Sequence, residues 1–80
     1  MTNIIIDKFE NTSFMDVYVS VEGDTIEFKQ GLDYKKAVHT VYKFISKYKL
    51  SEDDMIINNI YDQNEYLKES IKQTVKEYKI

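Results

Sequence analysis

The stretch that decides the fold is FMDVYVSVEGDTIEFKQ, residues 14–30. Its first half alternates: Met15, Val17, Val19 and Val21 fall on one face, Phe14, Asp16, Tyr18 and Ser20 on the other. That period of two marks a half-buried strand. The second half continues it, with Ile26 and Phe28 on one face and Thr25, Glu27 and Lys29 on the other. Gly23-Asp24 reads as a two-residue hairpin loop, because glycine suits the first central position of a type II′ turn; Glu22-Gly23 as the loop keeps the same parity. In this register Val21 faces Ile26 and Val19 faces Phe28, while Tyr18–Lys29 and Ser20–Glu27 pair on the opposite face.

Upstream, Asn3–Phe9 reads as a strand through Ile4, Ile5 and Ile6. Either Ile4 and Ile6 or Ile5 and Phe9 must share the outward face. The polar residues 10–13 form a turn. Downstream, Gly31-Leu32 breaks the strand and Asp33 is a natural N-cap. On a helical wheel, Tyr34, Ala37, Val38, Val41, Tyr42, Phe44, Ile45 and Tyr48 fill one arc, and Lys35, Lys36, His39, Thr40, Lys43, Ser46 and Lys47 the other. Ser51 followed by Glu52, Asp53 and Asp54 is a helix start with acids where the dipole favours them. Asn58-Asn59 is a poor helix interior, so a short or kinked helix is expected there, and a short strand over 55–61 is the competing reading. Asp62 with Glu65 resembles a capping box, and Leu67, Ile71, Thr74, Val75 and Tyr78 make an apolar stripe.

The expected fold is therefore α+β, in one domain of residues 1–80. A three-stranded antiparallel meander over about 3–9, 14–21 and 25–30 precedes two or three helices over about 33–49, 51–60 and 62–79, packed on one sheet face.

Composition narrows the chemistry. There is no Cys, which excludes a disulfide framework, a thiolate nucleophile and a zinc finger. All eleven basic residues are Lys, so the bidentate guanidinium fork that reads guanine or grips phosphate is missing. The net charge is −3, which argues against a chain that coats nucleic acid. The longest apolar runs are three residues, far below the ~20 that span a bilayer. No membrane partner and a cytoplasmic location are expected. Abundant Ile, Asn, Lys and Tyr with scarce Gly and no Arg, Pro or Trp point to an AT-rich genome, such as that of a low-GC bacterium or its phages.

Few residues can carry chemistry. His39, the only histidine, stands among lysines on the solvent arc, where it lacks the orienting partner that a general base needs. The acids 52–54 lie on no curved, Gly-bearing loop of the kind that binds Ca²⁺. Gly23 and Gly31 are too far apart for a phosphate loop. The chain is therefore read as a non-enzyme with no catalytic residue, cofactor or metal.

Two surfaces remain. If the odd residues of 14–21 point inward, then Phe14, Asp16 and Tyr18 face outward with Glu27 beside them. Grouped exposed aromatics mark contact surfaces, so Phe14, Asp16, Tyr18 and Glu27 are the candidate protein-binding residues. The second surface is the lysine arc of helix 33–49. There Lys36, His39, Lys43 and Lys47 are candidates for an anionic partner or nucleic acid, contacting phosphates without reading sequence. The expected function is a small acidic protein that binds a host or cognate protein, as a phage or mobile-element inhibitor or regulator, anti-CRISPR and other anti-defence proteins included. A nucleic-acid-binding accessory protein is the alternative. Exposed sheet edges would also permit a homodimer.

Overall fold

A computed structural model describes residues 1–8, 13–58 and 64–78, with the side chains of 64–66 excepted. The chain is α+β: β1 (Thr2–Lys8), β2 (Met15–Val21), β3 (Asp24–Leu32), α1 (Tyr34–Tyr48), a 3₁₀ turn (Glu52–Asp54), β4 (Met55–Asn58) and α2 (Asn64–Tyr78). Phe9, the turn at 10–12, Ile60, Tyr61, Asp62 and the helix end at 79 lie outside the described residues.

The strands form one mixed sheet in the order β3-β2-β1-β4. β2 pairs antiparallel with both β1 and β3, and β4 joins the other edge of β1 in parallel. This adds a fourth strand to the expected three-stranded meander, because residues 55–58 are a strand, as in the competing reading of 55–61, and not the interior of a helix at 51–60. The start signal at Ser51 is real. Its side chain accepts from the backbone N–H of Asp53, and Asp54 accepts from the backbone N–H of Ser51. It caps only one 3₁₀ turn, because two β-branched residues and an asparagine follow within four positions. β1 offers that run a ladder, with Ile4 opposite Met55 and Ile6 opposite Ile57.

Ile4, Ile6, Met15, Val17, Val19 and Met55 point to one side of the sheet, where Ala37, Val38, Val41, Phe44 and Ile45 of α1 and Ile71 and Val75 of α2 bury them. The apolar arc of α1 is as the wheel expects, though Tyr34 stays exposed. Asp33 caps this helix by accepting from the backbone N–H of Lys36 at 2.9 Å. The molecule measures 32 × 31 × 19 Å. Its short dimension suits one sheet and one helix layer about 10 Å apart. No helix among the described residues is long and apolar enough to cross a membrane.

The hairpin closes through Glu22-Gly23, not Gly23-Asp24. Val21 pairs with Asp24, and both loop residues have positive φ, 52° and 89°, as a type I′ turn requires. The register then shifts twice. Ser20 pairs with Thr25 but Val19 pairs with Glu27, so Ile26 is an extra residue in the ladder. Val17 pairs with Lys29 and Met15 with Leu32, so a second irregularity falls at Gln30-Gly31. The first shift reverses the expected faces. Glu27, not Phe28, lies opposite buried Val19, and Phe28 lies opposite Tyr18 on the other face.

α1 ends on Lys49, a left-handed residue with φ 55°, and the backbone N–H of Leu50 returns to the carbonyl of Ile45 at 2.9 Å. Such a cap favours glycine, since a Cβ crowds the left-handed region. Lys49→Gly is expected to raise stability by about 0.5–1 kcal/mol, the relief of strain exceeding the added chain entropy. A higher urea midpoint with an unchanged slope would register it.

Candidate functional site

The face of the sheet away from both helices carries one apolar residue from each strand, in line. Phe28 on β3 pairs with Tyr18 on β2, Tyr18 with Ile5 on β1, and Ile5 with Ile56 on β4. The Tyr18 and Phe28 rings lie 5.8 Å apart between centroids. Phe28 and Ile56, at the ends of the row, are 48% and 43% exposed; Tyr18 and Ile5 between them are half-buried. With the helices on the opposite side, no described element covers this row.

A polar row runs beside it. Asp16 on β2 lies directly opposite Asp7 on β1, and Asp7 lies opposite Asn58 on β4. Asp16 is only 8% exposed and accepts from the backbone N–H of Gly31 at 2.9 Å. The shifted register at Gln30-Gly31, with Gly31 at φ 66°, aims that N–H at the carboxylate instead of a strand neighbour. The Tyr18 hydroxyl bonds to Asp7 and Asn58, and burial followed by the charge of Asp7 raises its pKa above the usual phenol value. No ion pair among the described residues involves Asp7 or Asp16.

The four residues expected to share this face do not all do so. Asp16 and Tyr18 are on it. Phe14 is half-exposed just ahead of β2. Glu27 leaves the group: its carboxylate accepts from Lys47 Nζ at 2.8 Å and from the Tyr48 hydroxyl at 2.5 Å, both on α1. Ile5, Phe28 and Ile56 are the residues that simple alternation did not assign. Ile56 follows from the strand reading of 55–61, whereas Phe28 depends on the bulge.

The lysine arc of α1 is likewise changed. Lys36, His39 and Lys43 are exposed, but Lys47 is engaged by Glu27. The His39 ring lies edge-on to Tyr78 of α2 at 6.4 Å. Lys35, Lys36 and His39, with Leu32, Thr40 and Tyr78, border a shallow groove of about 460 Å³. Among the described residues no group of three or more His, Asp or Glu is arranged to hold a metal ion.

The Lys47 ammonium and then the Tyr48 hydroxyl hold the Glu27 carboxyl below the usual carboxylate range. A carboxyl with a depressed folded-state pKa contributes its stabilisation above the unfolded value of about 4.3 and loses it as pH falls through the folded value. Glu27→Gln is therefore expected to lower the thermal midpoint at pH 7, with the gap to the parent closing below about pH 4. Melting curves from pH 7 to pH 3 would check it. A gap independent of pH would mean that the contact acts by packing alone.

No family model, no curated protein and no solved structure matches the chain.

Proposed function

We propose that this chain is a small, non-enzymatic binding protein that engages another protein through the open face of its sheet. The observation that carries the reading is the row Phe28–Tyr18–Ile5–Ile56, one side chain per strand, left uncovered by both helices. Grouped aromatic and aliphatic side chains on a rigid sheet form the kind of patch that association buries, and tyrosine and phenylalanine are enriched at such contacts. The composition, poor in Arg, Pro and Trp and rich in Lys, Asn and Ile, agrees with a product of an AT-rich phage or mobile element. In that setting a protein of this size acts stoichiometrically, as an inhibitor or regulator of a host protein.

The nucleic-acid reading is second. It retains Lys36, His39 and Lys43, and the pairing of Lys47 with Glu27 reduces the cationic charge available to a phosphate backbone.

The deciding experiment starts with affinity capture from native host cells. The captured protein is then purified and rebound to the parent chain, to a Phe28→Ala/Ile56→Ala variant and to a Lys36→Ala/Lys43→Ala variant. Loss of at least tenfold in affinity for the first variant, with protection of β1, β2 and β4 from hydrogen exchange, is the expected result. Loss confined to the lysine variant would overturn the reading.

A further inference from the structure

We infer that the partner of the open sheet face is a basic amphipathic helix, two to three turns long, whose apolar stripe lies along Phe28–Tyr18–Ile5–Ile56 and whose Lys or Arg residues on one flank meet Asp7 and Asp16. The inference rests on the reading of this face as a protein-contact surface, and it adds the chemistry of the partner.

Charge comes first. Asp7 and Asp16 stand directly opposite each other across β1 and β2, an arrangement that costs stability because like charges oppose. The neighbours that share their side of the sheet in register are Asn3, Ser20, Thr25 and Asn58, none of them cationic. Lys8 and Lys29 pair with Met15 and Val17, whose side chains are buried on the helix side. The face thus holds two carboxylates and no described cation. A partner that brings cations gains most from half-buried Asp7, because Asp16 is 8% exposed and already accepts from the Gly31 N–H.

Size comes second. Four strands about 4.8 Å apart, with outward residues about 6.8 Å apart along each, give an open face of roughly 300–400 Å². A second copy would bring more carboxylates to this face and no described cation, so a homodimer through it fails on charge.

Shape comes third. The apolar row crosses three strand spacings, about 14 Å, which is the reach of residues i, i+3 or i+4, and i+7 on one helix with allowance for side chains. The carboxylate row runs parallel to it at about 7 Å. A helix about 10 Å across, centred on the apolar row, places one flank over that second row.

The test titrates the ¹⁵N-labelled full chain with three synthetic helical peptides of equal length and equal apolar stripe. One has a lysine flank, one a glutamate flank and one a glutamine flank. The expected result is that the lysine peptide shifts the amides of Ile5, Asp7, Asp16, Tyr18, Phe28 and Ile56. It should bind at least tenfold more tightly than the glutamate peptide and weaken at least fivefold with Asp7→Asn. Asp7→Asn is chosen because Asp16 also holds the Gly31 N–H. Shifts on this face with equal affinity for all three peptides would overturn the charge assignment and leave the contact surface standing. Shifts mapping to α1 would overturn both, as would a concentration-dependent dimer that protects this face without any peptide.

Discussion

Ile6→Ala is expected to cost about 2–5 kcal/mol, the range for deleting a fully buried aliphatic side chain. Ile6 is 0% exposed and sits in the central strand, opposite Val17 of β2 and Ile57 of β4. The cavity would open between the sheet and the helices that cover it, and strands held on both edges have little room to collapse into it. A domain of 80 residues has a total stability of roughly 4–12 kcal/mol, so the variant should be partly unfolded at moderate urea. The control is Ile56→Ala, on the open face, expected to cost about 1 kcal/mol or less because the side chain is 43% exposed. The two residues occupy adjacent strands and differ in the side of the sheet they face. Urea unfolding followed by circular dichroism measures both. Equal losses would mean that Ile56 is buried too, and the open face would cease to exist.

The sequence made some of this legible and hid the rest for identifiable reasons. Strict alternation over 14–21 places Met15, Val17 and Val19 in the core, because β2 is paired on both sides and a slip of one residue would expose all three. The span and face of α1 are readable because Asp33 caps it and its apolar residues recur at helical spacing. The parity of β3 beyond Thr25 is not readable. The bulge there turns Glu27 to the side of Lys47 and Tyr48, twenty or more positions away, and local pattern holds no record of them. β4 is open in the sequence, where a short strand over 55–61 competes with a helix, and local pattern cannot choose between them. Met55–Asn58 is too short to show a period, and its ladder is a parallel partner from the start of the chain. Phe28 therefore lies beyond the reach of alternation, whereas Ile56 follows once the strand reading of 55–61 is chosen.

Asp16→Ala is expected to destabilise the domain by about 1–3 kcal/mol, and Asp16→Asn by well under half of that. The carboxylate accepts from the Gly31 N–H at 2.9 Å and is 8% exposed, so alanine would leave a donor at the β3 bulge without its partner. The penalty for such an orphan exceeds the modest net worth of the bond itself. Asparagine keeps an acceptor oxygen at the same reach and removes the repulsion with Asp7 across the strand pair. The two substitutions therefore separate the two duties of this side chain. If its role were only to hold the bulge, Asp16→Asn would behave as the parent in every respect. If its charge also serves a basic partner, Asp16→Asn would fold like the parent in a urea titration yet bind the lysine-flanked peptide at least fivefold more weakly. A fold intact by circular dichroism, joined to that loss, is the expected outcome. It would explain why the sheet keeps two opposed carboxylates where neutral residues would fold at least as well.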